Sequence, residues 1–405
     1  MTLREQPGLI RYLAAAVLGR VADEGGRIVL VLLAIDRTGS TAVGGLLAGC
    51  FLVPHVIAAP ISGAIADRSP HRARVQGAAL VTFGFCLALV AILAGNVPNG
   101  VLMVVAIIGG CAGPLLTGGM TSLLGNLVPG ATRDRAYGLD IATYNLAGIV
   151  GPAAGAMLAA LVSPMIATFA LGASALAGGI LVVRLPGEKP SGQYGRPAVE
   201  TSLLSLDAMR HMVRNPSLRT ATIVSSLGAA GTAALPIAAV LIGQEANRSG
   251  LTSGCIATFA LGSLAGSVWY ARRPFGTDHP THTAIICLGW IAVPFLVIPL
   301  VPHWSGIVLL CGVAGIPTSP LGSSVFLVRD RESEPSIRTQ IFTLGAGIKM
   351  TCSAIGTSIA GFAASAGSTS LFVGIAVVQL ASAAIGTFTI RRQKRIIRSA
   401  ASRRS

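Results

Sequence analysis

Hydrophobic stretches of about 20 residues recur along this chain from Leu9 to Ile390, each long enough as a helix to cross a hydrocarbon layer of about 30 Å. Lipid offers the backbone no hydrogen-bond partners, so each stretch has to satisfy its own amides within a helix. Hydrophobic residues make up 52% of the chain and charged ones 11%, against roughly a quarter charged in a soluble domain. The apolar excess therefore faces lipid, and the 50 Gly and 22 Pro suit closely packed, bent membrane helices. The chain reads as an all-α membrane protein.

The pattern predicts twelve transmembrane helices at 10–35, 41–66, 75–95, 100–128, 136–162 and 163–184, then 217–243, 250–271, 282–301, 305–328, 338–365 and 368–390. They divide into an N-terminal six-helix bundle (1–185), a cytoplasmic linker (186–216), a C-terminal six-helix bundle (217–392) and a basic cytoplasmic tail (393–405). The first half of the linker is rich in Pro and Gly. Its second half, Ser202 to Asn215, reads as a surface helix with Leu203, Leu206 and Met209 on one side. The two halves also repeat: one offset of 203 residues lays Gly63 on Gly266, Gly109 on Gly312, Pro114 on Pro317, Gly119 on Gly322 and Arg135 on Arg338. Residues 1–19 resemble a signal peptide, but Arg20, Asp23, Glu24 and Arg27 stand where a cleavage region belongs, so an uncleaved first span is expected.

A net charge of +15 raises the question of a nucleic-acid partner, which the placement of the charges excludes. The basic residues lie in loops and tails and form no aromatic-interleaved patch. In the predicted topology Arg37 and Arg248 alone among the loop and tail basic residues fall outside, which places both termini in the cytoplasm and suits a bacterial inner membrane. The seven Cys lie inside apolar spans without a C-x-x-C pair and read as small buried hydrophobes.

Arg20, Asp23, Glu24 and Arg27 fall at i, i+3, i+4 and i+7 near the middle of the first span, on one helix face. Unpaired, each costs roughly 2.5–3.5 kcal/mol at the centre of a membrane helix. The stripe has to face a wet cavity, with Asp23–Arg27 and Arg20–Glu24 expected to pair at i, i+4. Proton coupling is the expected role, carried by Asp23 or Glu24, with Asp23 favoured as nearer the midpoint of the span and His55, Asp140 or another ion as the fallback. Lys349 in the eleventh span is a candidate partner for these acids or a snorkelling residue. His55, beside Pro54, is either a titrating group or a hydrogen-bonded core histidine. Asp278-His279-x-x-His282 has metal-like spacing but no further ligand in sequence, so no metal is expected. Asn247-Arg248-Ser249 is a sequon that has meaning only in a eukaryotic source.

The cytoplasmic end of the second span reads Gly63-Ala-Ile-Ala-Asp67-Arg68-Ser-Pro70-His-Arg72-Ala-Arg74. It resembles the loop signature G-x-x-x-D-R-x-G-x-R-R of the major facilitator superfamily, with Pro70 and Ala73 as departures. The fifth span, with Gly138, Ala147, Gly151-Pro152 and Gly155-Ala156, is similar to that family's antiporter signature, with Ala147 and Ala156 in place of two glycines. The resemblance covers Arg11 to Arg392 and implies the major facilitator fold: two pseudo-symmetric six-helix bundles around a cavity lined mainly by helices 1, 4, 7 and 10. It further implies that Asp67 caps the start of the eleventh helix and latches the outward-open state, with Gly63, Arg68 and Arg72 in the same gating loop. Position 270, equivalent to Asp67, is Tyr270, so any such latch is one-sided.

No phosphate-binding loop, H-E-x-x-H or G-x-S-x-G occurs, so neither an ATP-driven pump nor a familiar hydrolase is expected, and no cofactor. The fourth span lacks the R-x-x-Q-G pattern of many antiporters in the family. The expected function is a secondary transporter working by alternating access, a monomer exporting a small organic molecule or drug in exchange for protons. The alternative is a proton-coupled importer of a siderophore, sugar or cell-wall fragment. An aromatic content of 5% favours a narrower, polar or charged substrate.

Overall fold

The computed structural model describes residues 7–185 and 207–401, helical almost throughout and with no strand among the described residues. The first six membrane helices are α1 (Pro7–Thr38), α2 (Thr41–Arg68), α3 (Arg72–Leu93), α4 (Asn99–Leu127), α5 (Arg133–Leu161) and α6 (Pro164–Val183). After a short helix at Asp207–Arg214 come α7 (Pro216–Glu245), α8 (Ser249–Arg272) and α9 (Pro280–Leu300). The last three are α10 (Trp304–Glu332), α11 (Arg338–Phe362) and α12 (Gly367–Ala401).

Among the described residues nine stretches are long and apolar enough to cross a membrane, and α2, bent by 48° where Pro54 and Pro60 interrupt it, makes a tenth. One of the nine, Arg338–Arg392, is 55 residues long and contains both α11 and most of α12, parted by a 3₁₀ turn and by Gly367 at φ 85°. The remaining helix, α1, has 32 residues but carries its four central charges, too many for lipid on every side. The set is consistent with the predicted twelve spans. Helix starts follow local chemistry: Asn215 accepts from the amides of Ser217 and Leu218 ahead of Pro216, and Ser163 accepts from Ile166 ahead of Pro164.

By contact the chain forms two compact units. The first holds α1 to α6 and Ser333–Gly347, which includes the start of α11; the second holds Met209–Glu332 and the chain from Ile348. In the first unit α1 lies against α5 and α6 through residues without side chains. A β-carbon added to Gly151 meets the Gly25 nitrogen and the Val21 oxygen at 2.9 Å, and one on Gly155 comes within 2.7 Å of Val29. The contact of α2 with α4 is as close, since a β-carbon on Gly110 falls 2.9 Å from the Cys50 oxygen. In the second unit α8 and α10 meet in the same manner, with a β-carbon on Gly315 at 2.9 Å from the Ser263 nitrogen and the Thr258 hydroxyl donating to the Val308 carbonyl at 2.8 Å. The paired helices, second with fourth and eighth with tenth, agree with the 203-residue repeat.

The short helix turns Ala208 and Met212 inward and leaves Met209 exposed. Of the predicted Leu203, Leu206 and Met209 row, the first two lie outside the described residues. All seven cysteines are free thiols.

Candidate functional site

The charged stripe on α1 separates into two groups inside the first unit. Arg20 does not pair with Glu24 as expected. It turns into the bundle, where one guanidinium nitrogen donates to a carboxylate oxygen of Asp140 at 2.8 Å, to the Asp140 carbonyl at 2.9 Å and to the Thr143 hydroxyl. The other terminal nitrogen donates to the Thr121 hydroxyl at 3.1 Å, and the guanidinium carbon lies 3.4 Å from the Tyr144 ring centre. Asp140 also accepts from the Tyr12 hydroxyl at 2.7 Å and from Thr121 at 2.8 Å. The side chains of Arg20 and Asp140 are 2% and 0% exposed, so water cannot help either ion. The physical reason for the departure is that an i, i+4 carboxylate engages one edge of the guanidinium, whereas Asp140, Thr143 and Thr121 engage both terminal nitrogens.

Arg27 takes both remaining acids. It donates to Asp23 at 2.7 Å and to Glu24 at 3.1 Å, and Asp23 is 12% exposed where Glu24 is 33% exposed. The expected Asp23–Arg27 pair is present, with Glu24 added at i, i+3. A small cavity beside this group is lined by Asp23, Arg27, Leu30, Phe51, Phe83 and Leu87, so charge and apolar rings share one space. His55 is buried on α2, with its Nε2 3.2 Å from the Thr117 hydroxyl of α4, while the missing side chain of Gly113 makes room for the ring.

The Gly63–Arg72 motif lies at the C-terminal end of α2 and the start of α3. The two oxygens of Asp67 accept from the backbone amides of Thr339 at 3.0 Å and Gln340 at 2.8 Å, the exposed donors of the first turn of α11. Arg72 lies 3.1 Å from Asp67 and also donates to the Pro335 carbonyl, while Arg68 is half-buried. A β-carbon on Gly63 would stand 2.7 Å from the Cα of Gln340 and collide with the Thr343 hydroxyl, so only glycine admits α11 this closely. Gly138, Gly151 and Gly155 are buried on α5 and Pro152 is half-buried.

Other predicted residues belong to the second unit. Lys349 belongs to the second unit, exposed, with Arg329 as a charged neighbour. The rings of His279 and His282, 5.6 Å apart, border a cavity of about 350 Å³ in that unit, yet among the described residues no group of three or more His, Cys, Asp or Glu is placed to hold a metal ion. Tyr12, Thr121, Tyr144, Thr339 and Gln340 escaped the sequence reading. Asp140 entered only as a fallback, although an acid alone in an apolar span is itself a signal.

Two units of helices, most of them long and apolar enough to cross a membrane, the first with a buried Arg20–Asp140 ion pair, are the architecture of a multi-pass membrane protein. The sequence matches the Major Facilitator Superfamily over residues 13–329, and the chain belongs to that family, a family of transporters. It is 28% identical over 403 residues to an uncharacterized MFS-type transporter, y4rN, of Sinorhizobium fredii, covering 96% of both chains. It is 25% identical over 409 residues to the multidrug efflux pump Tap of Mycolicibacterium fortuitum, covering 96% of this chain and 98% of the relative. The human organic anion transporter MFSD10 shares the fold with a TM-score of 0.75 at 18% identity, over 94% of this chain and all of that one. An outward-facing bacterial homologue of the iron transporter ferroportin does so with a TM-score of 0.75 at 14% identity, over 95% and 98%.

Proposed function

We propose that this transporter is a proton-coupled exporter of a small organic molecule, working by alternating access between two halves, residues 1–185 and 217–392, in a bacterial inner membrane with both termini in the cytoplasm. The observation that carries the reading is the Asp23–Glu24–Arg27 group: two carboxylates share one guanidinium, Asp23 and Arg27 line a small cavity, and both terminal nitrogens of the neighbouring Arg20 are engaged elsewhere. A shared guanidinium leaves one acid underbonded, and an underbonded acid with access to water can take and release a proton as access changes sides. Glu24, held at the longer distance and the more exposed of the two, is the better carrier on this geometry, with Asp23 its charged neighbour.

Export is supported by the small-residue contact of α5 on α1 at Gly151 and Gly155, by the antiporter-like pattern that supplies it, and by the likeness to a named efflux pump. The Asp67 contact with α11 supports a latch that holds the cytoplasmic side closed. The test uses inverted membrane vesicles with an imposed inward-acid gradient and a panel of fluorescent organic cations and anions. An exporter fills them with at least one probe, and Glu24→Gln abolishes gradient-driven filling while leaving exchange without a gradient. Full gradient-driven filling in the Asp23→Asn/Glu24→Gln double variant rules out this coupling site. Probe loss from loaded vesicles under the same gradient points instead to the importer.

A further inference from the structure

Helix α4 is not uniform. At Leu115–Gly119 it opens into a π turn, closed by the Met120 amide on the Leu115 carbonyl five residues back. The next turn closes tightly, with the Leu123 amide on the Met120 carbonyl three residues back at 3.0 Å. A wide turn adds nearly one residue to the helical count and a tight one removes most of it again. The helix before Leu115 and the helix after Leu123 therefore keep nearly the same phase, while Met120–Ser122 between them are turned by up to about 100° from where a uniform helix would place them.

What the turned segment holds gives this geometry a purpose. Thr121 donates to Asp140 and accepts from Arg20, and so bridges the sealed ion pair. The next residue, Ser122, has its hydroxyl 3.2 Å from that of Thr339, whose amide is held by Asp67 at the start of α11. Gly118, in the wide turn, lies against the backbone of Phe342, where a β-carbon would stand 2.7 Å from the carbonyl carbon. Thr121 thus touches the Arg20–Asp140 pair, while the adjacent Ser122 and, one turn earlier, Gly118 touch the Asp67-capped start of α11.

We infer that Thr121 is a positioning residue: its bonds to Asp140 and Arg20 hold the Met120–Ser122 segment in its turned setting, and that setting keeps Ser122 seated on the start of α11. Straightening the wide and tight turns into uniform helix swings this segment alone, without displacing either end of α4. It takes Thr121 off the ion pair and Ser122 off Thr339 in one motion. The role holds whatever the transported molecule and whichever the coupling ion, so it stands or falls separately from the direction of transport.

The test is amide hydrogen exchange by mass spectrometry on the full-length protein in lipid nanodiscs, with no ligand, comparing Thr121→Val and Thr121→Ser. Valine keeps the branched shape and removes the hydroxyl. It is expected to speed exchange about tenfold or more in 115–127 and also at Thr339 and Gln340, which residue 121 does not touch, with the second unit unchanged. Serine is expected to hold wild-type rates. Asp140→Asn should give the pattern of the valine variant, and the two combined should add nothing further; if the Asn variant fails to fold, the Val and Ser pair decides alone. Wild-type exchange at Thr339 and Gln340 in Thr121→Val, or a serine variant as fast as valine, overturns the assignment.

Discussion

The two units fold the same kind of helices with different glue. In the first, charge is buried at several depths: Arg20 on Asp140, Arg27 on Asp23 and Glu24, Arg72 on Asp67. In the second, Arg329 and Asp330 are buried as well, and Glu245 accepts from the Ser368 amide at 2.8 Å, but several contacts between its helices use neutral groups. The Gln379 amide donates to the Gly228 carbonyl at 2.8 Å, Ser319 donates to the Ser263 carbonyl at 2.6 Å, and Thr220 donates to Thr389 at 3.1 Å. At the position equivalent to Asp67 the second unit has Tyr270, buried with its ring edge-on to Phe275 at 5.3 Å. A neutral bond can only hold or break, whereas an ion pair changes worth when a proton or a charged ligand arrives. The difference teaches that a duplicated scaffold keeps its close helix contacts in both copies while the polar groups that join the helices differ from one copy to the other.

Four substitutions sharpen or break that contrast. The largest effect is expected from Arg20→Met, which strands the Asp140 carboxylate in a dry site and should cost about 3–5 kcal/mol, read as loss of folded protein in detergent chromatography. Arg20→Met combined with Asp140→Leu should recover most of the yield; if it does not, the pair holds more than its own charge. Gly151→Leu comes next: a side chain forced against Gly25 should cost about 1–3 kcal/mol and end transport even where folded protein remains. Normal transport by this variant removes the main support for the antiporter-like contact of α1 with α5.

Asp67→Asn keeps the size of the cap but removes its charge from the start of α11, for a loss of about 0.3–1 kcal/mol, up to about 2 for a buried site. The protein should insert normally, and a cysteine at Ala64 should react faster with a membrane-impermeant maleimide from the cytoplasmic side. An unchanged rate leaves Asp67 no part in closure. The smallest effect belongs to the second unit, where Gln379→Leu exchanges one neutral hydrogen bond for apolar contact and should change stability by no more than about 1.5 kcal/mol in thermal unfolding. A loss there as large as that of Arg20→Met ends the contrast between the units.

Much of this was legible along the chain. Hydropathy and the need of every backbone amide for a partner set the helices, the membrane class and the repeat, because both act within a single segment. The capping contact of Asp67 was legible for the same reason: Gly63, Asp67 and Arg72 lie within ten residues, and a carboxylate at a helix end suits exposed amides wherever they come from. The α1 stripe announced that charge was buried, and the spacing to Arg27 correctly paired Asp23.

The partner of Arg20 was decided only by tertiary structure. Local spacing offered Glu24 one turn away, but the helices bring Asp140, 120 residues on, together with Thr121 and Thr143, into a site that occupies both ends of the guanidinium. The wide and tight turns of α4 belong to the same class of fact, since nothing in Leu115–Leu123 forbids a uniform helix and the setting is stabilised by what Thr121 and Ser122 reach across the bundle. Sequence determines how many charges a membrane helix must hide. Which group hides each one depends on several helices arriving at one point, and that information is carried by no single segment.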